Sequence, residues 1–160
     1  MTPRSPIDTR PSHRALAWAA AFAATHLLAA PASAAEHVIN MLNQGKEGTM
    51  TFEPSYVRAA VGDTVVFKPT QAGAHYPASL ALPAGAKPWR GEVDKEFRVK
   101  LEKEGVYAYV CEPHKIMGMV GVIQAGKPVN LAAVREVTTK EQTTWAMNKD
   151  RFDKALAQVK

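Results

Sequence analysis

The stretch from Val106 to Gln124 constrains this chain more than any other. Val106-Tyr107-Ala108-Tyr109-Val110-Cys111 and Met119-Val120-Gly121-Val122-Ile123-Gln124 are two apolar runs rich in β-branched and aromatic residues. Such runs read as strands, and the connector between them carries Pro113 and Gly118, residues that turn a chain. A short loop between neighbouring strands brings its two ends together. At this loop stand Cys111, His114 and Met119. A thiol, an imidazole and a thioether therefore converge from one short segment.

The same punctuation recurs upstream. His37 to Leu42 is short and apolar, and Gly45 and Gly48 mark turns. Met50 to Glu53 alternates until Pro54 interrupts it. Gly62-Asp63 turns the chain into the β-branched run Thr64 to Phe67, and Glu96 to Leu101 alternates as a half-buried strand does. Pro69 to Gly91, broken by Pro77, Pro83, Gly85 and Pro88, reads as loop. Short strands with turns between them predict an all-β sandwich or barrel. The texture changes after Gly126. Asn130 is placed to cap a helix over Leu131 to Val137, and Thr143 or Thr144 one over Trp145 to Val159. Trp145, Phe152, Leu156 and Val159 fall at helical spacing, a stripe expected to pack on the sandwich.

The first residues follow another logic. Arg4, Arg10 and Arg14 precede an alanine- and leucine-rich run, Ala15 to Ala30, and Ala32-Ser33-Ala34 follows it. Basic start, short apolar run and small-x-small site together predict a secretory signal peptide cleaved after Ala34. The run is too short for a membrane span, so none is expected after cleavage. The expected organisation is a signal peptide over 1–34, a sandwich over 35–126 and a helical extension over 127–160. Losing Arg4, Arg10, Arg14 and Asp8 lowers the formal charge from +5 to +3. With no dense Lys/Arg run, nucleic acid is not an expected partner. A mildly basic face suits an acidic protein.

Export sharpens the question of Cys111. In an oxidising compartment such as the periplasm thiols tend to pair, and this chain has one cysteine. It is then an intermolecular bridge, a reactive thiol, an inert buried residue or a metal ligand. Thiolate and thioether suit copper(I), and imidazole suits copper in both oxidation states. Two histidines and a cysteine with a weak axial methionine form the ligand set of blue-copper electron-transfer sites. A second histidine is needed. His13 and His26 leave with the signal peptide, so His37 and His75 remain. His75 lies in a loop after the Thr64 to Phe67 strand, whereas His37 reads as an edge or surface residue. Met117 is a second soft sulfur beside Met119. A thiol enzyme using Cys111 and His114 would leave His75 and Met119 without a role. A copper-handling protein would use the same four residues but exchange its metal.

Cys-x₂-His-x₄-Met after a Tyr-containing strand, with a histidine 36 residues before the cysteine, resembles the cupredoxins. Met41-Leu42-Asn43, Glu47-Gly48-Thr49-Met50, Phe52-Glu53-Pro54, Gly62-Asp63-Thr64-Val65, Gly105-Val106-Tyr107 and Met117-Gly118-Met119 extend the likeness, as do the two helices expected after the sandwich. The resemblance implies an eight-stranded Greek-key β-sandwich with two C-terminal helices. It implies one copper held by His75, Cys111, His114 and Met119, with Met117 used for surface packing. It implies electron carriage, not enzymatic catalysis, to periplasmic reductases of denitrification, for nitrite or nitrous oxide. Partners would dock on an apolar patch of Met50, Pro113, Ile116 and Met117 around His114, with Lys46, Lys87, Arg90 and Lys115 as a basic rim. The chain departs from the family in its rim, where Ala74, Val110 and Gln44 stand at positions that are often lysine, and between the ligand loops. Tyr76 and Glu112 stand where an Asn and a Ser or Thr usually tie the two ligand loops. Either their hydroxyl and carboxylate replace that tie, or both face solvent.

Overall fold

The computed structural model describes Met1 and residues 34–160. The expected signal peptide therefore lies outside the described residues. Eight strands form two four-stranded sheets. One sheet runs β2 (Gly48–Glu53), β1 (Glu36–Gly45), β4 (Thr64–Pro69), β6 (Phe97–Lys100). The other runs β3 (Tyr56–Ala59), β8 (Val120–Ala125), β7 (Gly105–Cys111), β5 (Pro77–Ala81). β1 pairs parallel with β4 and β3 parallel with β8, while the remaining pairs are antiparallel. This is the expected cupredoxin sandwich with its C-terminal helices.

β7 explains why two layers alone do not describe the molecule. Every residue of β7 is buried. Tyr107, Tyr109 and Cys111 point between the sheets, where Tyr109 meets Phe52 and Phe67 edge-to-face at centroid distances of 4.9 and 5.0 Å. Val106, Ala108 and Val110 point the other way, into a second core with Val134, Trp145, Phe152 and Leu156. The C-terminal segment thus covers the outer face of the second sheet, and both faces of β7 are apolar as a result.

Two parts of the reading need correction. The segment Pro69 to Gly91 is not all loop, for it contains β5. β5 is an edge strand with β7 as its neighbour in the sheet, and Pro77 stands at its first position, where a missing N–H costs least. The helices also differ from their expected lengths. α1 (Leu131–Gln142) runs longer, and α2 (Arg151–Leu156) is short. Residues 145–150 do not continue as helix because their polar groups bond elsewhere. Ala146 N–H donates to the Ile116 carbonyl at 2.8 Å, and Asn148 Nδ2 to the Met117 carbonyl at 2.8 Å. Asn148 adopts a left-handed conformation, φ 52°, which its short polar side chain tolerates. Trp145 is buried nonetheless, so the stripe packs as expected.

Arg151 secures this extension. The residue is 7% exposed. Nη1 donates to the carbonyls of Met50 (2.7 Å) and Gly118 (3.1 Å), and Nη2 to those of Glu47 (2.9 Å) and Thr49 (3.0 Å). One cation joins α2, the β1–β2 turn and the end of the Cys111–Met119 loop. Arg151→Met would strand those carbonyls and should cost about 3 kcal/mol in denaturant unfolding; a loss below about 1 kcal/mol would mean the carbonyls find other donors.

His37, on β1, has a structural partner. Its Nε2 lies 2.8 Å from Asp63 Oδ2, and Asp63 also accepts from the backbone N–H of Ala35 and Ala60 at 2.9 Å each. The His37 hydrogen bond, followed by the two backbone bonds, holds the Asp63 carboxyl near 2, against an ordinary value of 3.8. A depressed carboxylate stabilises the fold above its unfolded pKa and ceases to do so as pH falls through the folded one. Asp63→Asn should therefore lower the thermal midpoint at pH 7, and the gap from the parent should close between pH 4 and 2.

Candidate metal centre

The register of β7 and β8 builds half of the site. Val110 pairs with Val120, and the next bond, Cys111 N–H to the Met119 carbonyl, is 2.8 Å. Directly opposed residues project to the same face of a sheet. Cys111 and Met119 thus both enter the inter-sheet core, and both are wholly buried. Between them Glu112–Met117 winds into a 3₁₀ helix that closes on Gly118. Gly118 has φ 73°, and a Cβ there would lie 2.8 Å from the Asn148 carbonyl oxygen, so only glycine closes this loop without strain. The turn of 3₁₀ helix carries His114 back over the strand ends, and its carbonyl receives the Met119 N–H at 3.3 Å.

β5 supplies the other half. Pro77 pairs with Cys111, so the residues just before β5 lie at the same end of the sandwich. His75 is there, fully buried. His75 Nδ1 is 3.8 Å and His114 Nδ1 3.4 Å from Cys111 Sγ, and the two rings lie 5.0 Å apart, centroid to centroid. One donor atom from each of the three residues falls within 4.8 Å of the others. The structure brings together the four residues singled out in the sequence, and His37 is not among them.

Two residues that the sequence reading did not single out shape His75. Asn43, near the end of β1, donates from Nδ2 to the Ala72 carbonyl at 2.9 Å. Its Oδ1 is thereby turned to His75 Nε2, 2.9 Å away. An acceptor there requires the proton on Nε2, which leaves the Nδ1 lone pair facing the sulfur. Gly73 makes room, since a Cβ on it would lie 2.1 Å from Asn43 Oδ1. Asp94 fixes the backbone. Its carboxylate accepts from the N–H groups of Gly73 (3.3 Å), Ala74 (3.0 Å) and His75 (2.9 Å), and Asp94 N–H returns a bond to the His75 carbonyl at 2.8 Å. Those bonds, the one from His75 foremost, hold its pKa below the usual carboxylate range. They also hold Ala74 at φ 59°, a conformation a free alanine avoids. In sequence Asn43 and Asp94 look like ordinary turn residues. Only the folded loops show where their side chains point.

The electrostatics suit a metal. Burial pushes the Cys111 thiol up to about 11, while the backbone N–H groups of Tyr76 and His114 oppose that rise. Burial also lowers both imidazoles from the ordinary histidine value, with each other's charge adding to the effect at His75. The resting pocket thus presents two neutral imidazoles and a thiol that a cation would deprotonate. A buried thiol, two nitrogen lone pairs and a thioether fit copper better than any hard ion.

Tyr76 and Glu112 do not face solvent independently. Arg90 Nη2 donates to the Tyr76 hydroxyl at 2.9 Å, and Arg90 Nε lies 2.7 Å from Glu112 Oε2. Arg90 is thus a bridge rather than a free rim charge, and Lys115 Nζ likewise lies 3.2 Å from Glu141 Oε1. Lys46 and Lys87 are exposed. Of the apolar patch residues, Pro113 and Ile116 are exposed and Met50 and Met117 half-buried, as is His114.

Comparison with known proteins places the architecture. The copper-binding plastocyanin/azurin family matches residues 39–126. The chain belongs to that family, the cupredoxins. Within it the chain is similar to the pseudoazurins along most of its length. It is 38% identical to the pseudoazurin of Paracoccus pantotrophus over 88% of this chain and 95% of the relative. It is 38% identical to that of Methylorubrum extorquens over 91% and 97%. The crystal structure of native pseudoazurin from Hyphomicrobium denitrificans superposes with a TM-score of 0.70 at 39% identity, covering 78% of this chain and 98% of that one. Copper is accordingly the cofactor, as a type 1 centre that the His75, Cys111, His114 and Met119 cluster fits, and the kinship supports a blue-copper electron carrier.

The Asn43 contact has a direct spectroscopic consequence. In metal-free protein, long-range ¹H–¹⁵N correlation should show His75 as its Nε2–H tautomer, and Asn43→Ala should convert it to a mixture. An Nδ1–H signature in the parent would contradict the geometry.

Proposed function

We propose that this chain is a periplasmic carrier of single electrons whose copper is bound by His75, Cys111, His114 and Met119, and which delivers to reductases of denitrification. The observation that carries the ligand assignment is the convergence of two imidazole Nδ1 atoms on one buried, unpaired sulfur, with Met119 opposite that cysteine in register. Bound copper supplies a one-electron couple between its two oxidation states. The chain supplies the rest. Cys111 would hold the metal as thiolate, its proton passing to solvent. His75 would offer the metal its Nδ1 lone pair, its own proton held on Nε2 against Asn43 Oδ1. The strand ladders, Asp94 and the 3₁₀ turn hold the donors, so little has to move when charge changes.

Electrons would pass through the half-buried His114, with Pro113 and Ile116 exposed on the same turn and Met50 and Met117 completing an apolar patch. Ile116, 52% exposed, is the largest apolar surface of that turn. Because Arg90 and Lys115 are paired, Lys46 and Lys87 are the rim charges best placed to speed encounter with an acidic partner. The likeness to cupredoxins supplies the acceptor class, and the run Arg4 to Ala34 supports export.

Copper(II) added to the chain from Ala35 should give an intense colour at one equivalent, bleached by ascorbate and restored by oxidant. Cys111→Ser should abolish it. The thiol sits near 11 and the imidazoles below their usual value. Binding at pH 7 should therefore release about one proton per copper, and affinity should rise about tenfold per pH unit across neutrality. Colourless binding, or copper lost on reduction, would instead indicate a copper-handling protein.

A further inference from the structure

Arg90 is fifteen residues beyond His75 and twenty-one before Cys111, yet it touches the residues that follow both. Its own backbone is fixed. Arg90 forms an isolated bridge with Ala78 of β5, and the flanking bonds Ser79 N–H to the Trp89 carbonyl (2.9 Å) and Gly91 N–H to the Pro77 carbonyl (2.8 Å) complete the contact. Trp89 anchors the segment by packing on Phe67 and Phe97, with centroids 5.6 and 5.8 Å away. From that base the guanidinium lies over the Tyr76 ring, 4.8 Å from its centroid, donates to the Tyr76 hydroxyl and pairs with Glu112.

The position of this contact gives it meaning. The β5–β7 ladder ends at Pro77 and Cys111. Beyond it, among the described residues, one bond between backbone N–H and carbonyl joins the two ligand-bearing segments, from Glu112 N–H to the Tyr76 carbonyl, long at 3.4 Å, beside the Tyr76 N–H that faces the Cys111 sulfur. The pairing therefore weakens just where His75 and Cys111 must hold their separation. Glu112 also opens the 3₁₀ helix that carries His114. A planar guanidinium with donors at fixed angles can stack on the Tyr76 ring while it engages the phenol and the carboxylate, a geometry that a lysine's compact ammonium does not reproduce.

We propose that Arg90 is a positioning residue of the copper site, clamping the chain after His75 to the chain after Cys111. The inference rests on the copper reading of these residues. The clamp is solvent-facing, with the Arg90 and Glu112 side chains 62% and 43% exposed, so it adds little to global stability and acts locally.

The test uses Arg90→Gln, Arg90→Lys, Glu112→Gln and the double Gln variant of the exported protein. Amide exchange of Glu112 is measured in the metal-free form, and copper release to a chelator in the loaded form. The clamp predicts faster Glu112 exchange and about three- to fivefold faster copper release in each single variant. Arg90→Lys should behave like Arg90→Gln, and the double variant should be no worse than either single. If Arg90 acted only by its charge, Arg90→Lys would match the parent and the two Gln variants would shift the copper potential in opposite directions, additively; that pattern would overturn the clamp. Unchanged Glu112 exchange would overturn it too. Faster exchange in a protein whose parent forms no coloured copper complex would uphold the clamp and overturn the copper reading instead.

Discussion

The structure depends on the pairing of Cys111 with Met119 across the end of β7 and β8. A slip of one residue by either strand would turn its sulfur to the face opposite the other, since strand side chains alternate between faces. The register is guarded on both sides. Tyr109 sits opposite Gly121, where any Cβ would come within 2.1 Å of its hydroxyl. On the other face Val106, Ala108 and Val110 mesh with the C-terminal core. The placement of the sulfurs is thus a consequence of packing along two whole strands.

The cluster of His75, Cys111, His114 and Met119 was legible in the sequence because its chemistry is rare and three of its members share one short loop. The strands flanking that loop were legible because β7 and β8 are long and apolar. β5 was hidden because an edge strand that begins at a proline and runs five residues looks like the loop around it. The break before α2 was hidden because Trp145, Phe152 and Leu156 keep helical spacing across it. What stops the helix is the hydrogen bonding of Ala146 and Asn148 to a loop thirty residues away. Long-range polar contacts leave no local pattern. For the same reason Asn43, Asp94 and Arg151 could not be told from turn and surface residues.

Burial does two things at this site. It raises the cost of a thiolate, and it lowers the tendency of the imidazoles to take a proton. Both effects disfavour charge on the donors by themselves, and a cation that brings its own charge relieves them. The polar support stays at the margin, where Asn43 meets the His75 ring edge, Asp94 its backbone, and Arg90 the side chains that follow His75 and Cys111.

The extension after Gly126 also bears on how portable the Cys111–Met119 loop is. Loops of this kind invite grafting from one sandwich to another, on the view that the strands are a neutral frame. Here the outer side of the loop is stitched to residues 146, 148 and 151, through the carbonyls of Ile116, Met117 and Gly118. Transplanted to a sandwich that ends after its eighth strand, those three carbonyls would meet water instead. The loop is better regarded as the surface where two parts of the chain, far apart in sequence, are sewn together, and it would travel intact only with both.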